Sequence, residues 1–373
     1  MFGGKLNVML LQVVWILVLP SSAFGQVGAG GQPADRVDFV AFAGSGTFLV
    51  GAGYDKIWIW SLQPSKLVRT ITTEHAIGFV AAAPEGTLLA VGCDRGIFLW
   101  DIETGELSKR LPVPKGSRSR GIAVSPDGRH LASVHQQGDS DVTEAIATIR
   151  IWDVDRGVET RSFVQAPGTH INAIAFAPDG AAIAVGIVHD RVTRSEWTEI
   201  RLIGTGCGQP ERTLGRTKTA VRDLVFSPDG RSLASAGGRY TSGFLPTRVE
   251  EVSLWSVSDG KRRWWAEAPH QSLVRPVFSP DGKWIAGISW TGSSSPDGNE
   301  IVIRDVDTGR IHSHGRIRTH NHLDKVSGHS PGRIAYSPDP SLLAACSGQR
   351  LVILDTGTLA VRETLWPLPA EAD

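Results

Sequence analysis

The sequence carries no net charge: 38 Lys and Arg stand against 38 Asp and Glu in 373 residues. A chain so balanced projects no long-range field toward a polyanion, which argues against nucleic acid as a partner. Cysteine is scarce. Cys93, Cys207 and Cys346 make an odd number, so at least one thiol stays unpaired. Their places in the chain put them too far apart for the roughly 7 Å Cα separation a disulfide needs, and none is expected. Helical periodicity is missing between residues 37 and 366, which leaves an all-β chain. Also absent are a phosphate-cradling loop, paired Cys-x-x-Cys motifs and a basic stretch interleaved with aromatics. No cofactor and no metal is implied.

One long apolar run exists, and it is N-terminal. Lys5 precedes Val8 to Leu19, Pro20-Ser21-Ser22 breaks the run, and Ala23-Phe24-Gly25 supplies small residues at −3 and −1. That is the pattern of a secretory signal peptide over 1–25, cleaved before Gln26. Twelve apolar residues fall short of the roughly 20 a spanning helix needs, so no stable membrane insertion is expected after cleavage. The mature chain is then exported, periplasmic or secreted. Residues 26–36 read as a Gly-rich linker, 37–366 as the folded unit and 367–373 as a tail.

The folded unit is a repeat. Ala-Pro-Glu-Gly at 83–86, Ser-Pro-Asp-Gly at 125–128, 227–230 and 279–282, Ala-Pro-Asp-Gly at 177–180 and Ser-Pro-Asp-Pro at 337–340 are one turn, with a degenerate copy at 43–46. Proline presets φ, aspartate bonds the backbone and glycine accepts positive φ. Copy five shows the unit: Val221–Phe226 alternates in polarity, the turn reverses the chain, Arg231–Ala236 returns, and Val252–Val257 and Lys261–Ala266 follow. Four antiparallel strands per copy and seven copies predict a seven-bladed β-propeller. Trp60, Trp100, Trp152 and Trp255 should wedge between adjacent sheets.

Phe98-Leu-Trp-Asp101 and Ile151-Trp-Asp153, the turns, and a histidine ahead of several first strands (His75, His170, His270, His329) resemble the WD-repeat family. In that family such a histidine is bonded to an aspartate of a tight turn and to the strand tryptophan. Asp55 and Asp94 sit in suitable turns, while later copies have replaced theirs and copies four, six and seven lack the tryptophan. The resemblance implies a propeller that binds a protein partner, as a monomer and without catalysis.

The turn prolines at 84, 126, 178, 228, 280 and 338 are spaced 42, 52, 50, 52 and 58 residues apart. The added length falls between second and third strands of copies three to six (135–147, 188–199, 237–251, 290–299) and in the link at 318–331, all on one face of a propeller. Such gathered insertions mark a binding rim; the alternative is drift, since loops lengthen cheaply. Trp197, Arg239, Tyr240, Phe244 and Trp290 are the candidate contacts, because aromatics and arginine hold interface energy. A second reading is an exported propeller enzyme, of lactone-hydrolase or quinone-dependent dehydrogenase type, with its site at the central channel. It requires convergent His, Asp, Glu or Arg at the channel mouth, and the sequence offers no regular set. The G-x-S-x-G match at 328–332 lacks a strand-to-helix elbow. The histidines at 312, 314, 320, 322 and 329 match no metal spacing, and the acidic loop at 139–144 lacks the glycine and distant glutamate of a calcium site.

Overall fold

A computed structural model describes residues 37–93, 95–114, 116–137, 145–189, 197–206, 210–240, 248–268, 273–289, 299–317, 333–347 and 350–366. The described chain forms seven antiparallel sheets, each built from four consecutive strands. Blade one runs through Phe39–Ala43, Phe48–Ala52, Lys56–Leu62 and Ser65–Thr72, and blade seven through Arg333–Tyr336, Leu342–Ser347, Arg350–Asp355 and Val361–Trp366. The first strand of each blade touches the first strand of the next all the way round, blade seven to blade one included. First strands therefore line the axis and fourth strands form the rim. Sequence shows why: Phe39–Ala43 is buried at every position, whereas Ser65–Thr72 is exposed at every second one.

Among the described residues no strand is exchanged to close the ring. Blades one and seven meet through apolar side chains, with Val37, Val40, Leu49, Trp58 and Trp60 packed against Ala335, Ala344, Leu351 and Ile353. The equivalent seams elsewhere are filled in the same way. Each fully buried large side chain contributes about 1.5–3 kcal/mol, and only the neighbouring sheet can hide it. Trp60, Trp152 and Trp255 are buried in such seams, while Trp100 is half-buried.

The repeated turns lie on one face. In blades three, five and six the turn serine donates to the aspartate (2.6 Å in Ser125–Asp127 and Ser227–Asp229, 2.5 Å in Ser279–Asp281). The same aspartate accepts the backbone N–H two residues on, and the serine accepts one five residues on. Burial alone would raise the Asp127 carboxyl, but the Ser125 hydroxyl and the Arg129 N–H outweigh it and hold it below the usual carboxylate range. Neighbouring turns nest: a Cβ on Gly230 would lie 3.4 Å from Pro178, and one on Gly46 only 2.7 Å from Pro338.

On the opposite face the expected loops are partly strand. Second and third strands pair out to Gln137–Ile146, His189–Trp197 and Tyr240–Arg248 in blades three, four and five. The second strand of blade five has nine residues against five in blade one. In blade five its last two residues extend past Ala220, where the first strand ends. The inserted length thus begins as a continued two-stranded ribbon. Among the described residues no helix is long and apolar enough to cross a membrane.

Candidate functional site

Trp197 opens the third strand of blade four and pairs with His189 on the second. Their rings stack at 4.0 Å and 10°, and the Arg216 guanidinium carbon lies 5.1 Å over the indole. Below this stack Glu199 accepts from the Thr213 hydroxyl (2.5 Å) and from Arg201 (3.1 Å). Burial would raise the Glu199 carboxyl, yet the Thr213 and Arg201 bonds win and hold it below its ordinary value. Burial, together with Arg201 and Arg216, lowers the basicity of His189 against the pull of Glu199. The ribbon base on blade four is therefore a fixed, half-buried aromatic and cationic platform. Arg239 and Tyr240 end the second strand of blade five, opposite Val249 and Arg248. Phe244 and Trp290 lie outside the described residues, as do Cys207, the segments at 139–144 and 318–332, and His270.

Reading one repeat position around the ring reveals a charged arc that the sequence motifs do not announce. Five residues before the turn proline stand Phe79, Gly121 and Ala173 in blades two to four, then Asp223, Arg275 and Arg333 in blades five to seven. All lie on innermost strands. The Arg275 N–H donates to the Asp223 carboxylate, and both arginines act on Asp223 electrostatically, with Glu250 opposing them. Burial pushes the Asp223 carboxyl up despite these cations, and pushes Arg275 and Arg333 down. Asp38, entering blade one, acts on both arginines. Cys346 pairs across the strand from Arg333, and burial, then Asp38, raises its thiol to about 12. Arg275 adopts a left-handed φ of 60° in a bulge beside Pro276. Arg333 has no exposed surface and its guanidinium nitrogens have no hydrogen-bond partner. The signal was available: three charges in one column of an otherwise apolar strand.

The hydrogen-bonded sets between second and third strands vary by blade. Trp152 donates to Ser133 (2.8 Å), whose hydroxyl is 2.8 Å from His135 Nε2, and Trp255 donates to Ser235 (2.9 Å). Blades one and two carry Gly51 and Val91 at that serine position, and the indole N–H groups of Trp60 and Trp100 are unpartnered. His75 leaves the set and tilts against Phe98 at 5.9 Å, while Thr73 rather than a histidine binds the Asp55 carbonyl. His170 instead meets Gln136 at 2.9 Å. Of the clustered histidines, His312 stacks on Trp284 and His314 lies 2.8 Å from Glu300. Cys93 and Cys346 are buried thiols. Among the described residues no group of three metal-ligating side chains converges.

A family model described as "WD domain, G-beta repeat" matches residues 65–101 and 208–240. The repeats are similar to WD repeats. The two segments span the rim strand of blade one to the third strand of blade two, and the fourth strand of blade four to the second of blade five. The chain is 28% identical over 207 residues to a WD repeat-containing protein, SL1-17, of Schistosoma mansoni, covering 55% of this chain and 58% of that one. It is 25% identical over 201 residues to the meiotic recombination protein rec14 of Schizosaccharomyces pombe, covering 52% and 60%. The matches thus span about three fifths of these relatives' length. Among solved structures, hydrazine synthase of Kuenenia stuttgartiensis superposes with a TM-score of 0.65 over 90% of this chain and 100% of that chain, at 15% identity, which shows the fold alone. Together these matches support a WD-repeat β-propeller.

Proposed function

We propose that this propeller is an exported interaction scaffold that grips a protein partner on the face bearing the extended ribbons of blades three to five and the adjoining connections of blade six. The observation that carries this reading is the ribbon itself. Second and third strands stay paired to the ends of the long hairpins of blades three to five, past the inner strand in blades four and five, and the His189–Trp197–Arg216 stack stands at the base of one ribbon. A paired ribbon holds its side chains at fixed places, which lowers the ordering cost of binding. Arg239 and Tyr240 occupy the equivalent place on the next blade. The signal-peptide pattern at 1–25 supplies the compartment.

A channel enzyme is the rival class, and the charged arc of Asp223, Arg275 and Arg333 is the feature in its favour. Against it stands the burial of Arg333, which leaves only Asp223 and Arg275 of the three with exposed surface. The three charges and Asp38 act on one another across blades five, six, seven and one.

The test uses two baits, the intact protein and a variant with 190–196 and 241–247 replaced by two-residue turns. Both are used to capture partners from the envelope or periplasmic fraction of the native cell. A protein held by the first and lost by the folded second supports the rim. Identical captured sets overturn it. Mass analysis of the exported protein should find Gln26 at its start, and an intact Met1 would overturn export.

A further inference from the structure

The seam between blades one and two contains a cleft. Its cavity is about 100 Å³ with its mouth open to solvent, smaller than a drug-sized ligand's site and on the scale of one ring that lies partly outside it. Phe98, Trp100 and Leu107 line it together with His75, Arg110 and Glu74. The cleft follows from replacements at three repeat positions. Where blade three has Ser133, blade two has Val91, which cannot bond the tryptophan. Where blade three has the ion pair Arg150–Glu159 and blade four has Arg201–Glu211 (3.8 Å), blade two has Phe98 and Leu107. In blade five the matching space is taken by Arg262, 5.8 Å over Trp255 and 3.3 Å from Glu251. Blade two has none of these fillings, and Phe98 and Trp100 stay partly exposed along the cleft.

What remains is chemically selective. The Arg110 guanidinium carbon lies 5.2 Å over the Phe98 ring, and Arg110 forms no ion pair among the described residues. The His75 ring faces the same phenyl group at 47° and likewise makes no ring-nitrogen hydrogen bond among them. A flat apolar group can lie against Phe98 and Trp100, while an anionic group attached to it meets Arg110 and His75 at the mouth. Glu74 is exposed and repels such an anion, so it tunes affinity without abolishing it.

We propose that the cleft between blades one and two binds a flat aromatic ring bearing a carboxylate. A free aromatic acid and the C-terminal aromatic residue of a peptide both present this chemistry. The site lies apart from the ribbons of blades three to five, so its failure and the failure of the rim are separate results.

Calorimetric titration of the purified protein tests it with four probes: phenylacetate, acetyl-Gly-Gly-Phe as the free acid, the same peptide as its amide, and phenethylamine. One or both acids should bind saturably in the millimolar range or tighter, and the amide and the amine should not. Binding of phenylacetate alone assigns a free acid, and binding of the peptide acid alone assigns a C-terminus. Arg110→Gln should weaken the acid about tenfold or more, as loss of a charge-assisted contact does, and Glu74→Gln should tighten it. Transplanting the blade-three pair as Phe98→Arg with Leu107→Glu should fill the cleft and abolish binding while the circular dichroism spectrum is kept. Should that double variant not fold, the two exposed single variants decide. Absence of any acid binding, equal binding of the amide or the amine, or binding indifferent to these substitutions overturns the proposal.

Discussion

His135 shows how far one residue departs from its solution chemistry in this fold. It is 1% exposed, and burial, reinforced by Arg150, lowers its pKa from 6.5 to about 4. The Ser133 hydroxyl already accepts the Trp152 N–H, so its own proton is available to His135 Nε2, which suits a neutral ring. The folded state therefore refuses a proton that the unfolded chain accepts below about pH 6.5. Between that value and pH 4 the unfolded state binds more protons, so stability falls with falling pH and levels off below 4. A shift of this size corresponds to about 3 kcal/mol. His135→Gln removes the titration and can still reach Ser133. Chemical unfolding from pH 8 to 4 should show the parent losing stability relative to the variant through this window, and parallel curves would refute the assignment. Residue identity was legible where it repeats, as at Trp152 and Trp255. At Asp223, Arg275 and Arg333 the signal was a charge column seen only when one repeat position is compared between blades, not a motif within one repeat. A bulge at Val221–Asp223 and another at Val274–Val277 offset the first two from simple alternation.

Elements are held to each other by side chains that alternation does not predict. Thr198, on the third strand of blade four, has no exposed surface. Its hydroxyl donates to the Thr219 carbonyl (2.7 Å) and accepts the Val221 N–H (3.0 Å), clamping the ribbon base to the first strand of blade five. Thr198→Val keeps the shape and orphans a buried donor and a buried acceptor. Each orphan costs about 1–3 kcal/mol, so a loss of at least about 2 kcal/mol is expected by denaturant unfolding. A loss below about 0.5 kcal/mol would mean the two groups find other partners. The element boundaries were read well where Pro-Asp-Gly marks them. They were read as loop at 188–199 and 237–251, because Gly237-Gly238 and the polar residues around them lack the alternation of a half-buried strand. Pairing there is sustained by the neighbouring ribbon strand rather than by burial of one face.

For the whole molecule the question is what closes the ring, since blades one and seven each own four strands. Closure rests on the apolar seam and on nested turns, where Pro338 of blade seven seats on Gly46 of blade one. The repeat spacing foretold seven blades, but closure depends on distant residues meeting, which no local pattern encodes. Two glycines separate the contribution of the turn from that of the seam. Gly46 has φ +87° and an added Cβ would sit 2.7 Å from Pro338, whereas Gly180 has φ +69° with nothing within 4 Å. Gly180→Ala therefore costs only the left-handed backbone, about 1–2 kcal/mol. Gly46→Ala adds a clash against a ring atom that cannot rotate away, and should cost at least about 1 kcal/mol more. Because that clash falls on the closing seam, Gly46→Ala should also loosen blade one ahead of the rest. Hydrogen exchange would then show lost protection in Phe39–Ala43 and Leu342–Ser347 first, while Gly180→Ala lowers protection evenly. Equal costs for the two variants, or uniform exchange in both, would mean that the nested turns do not help to close the ring.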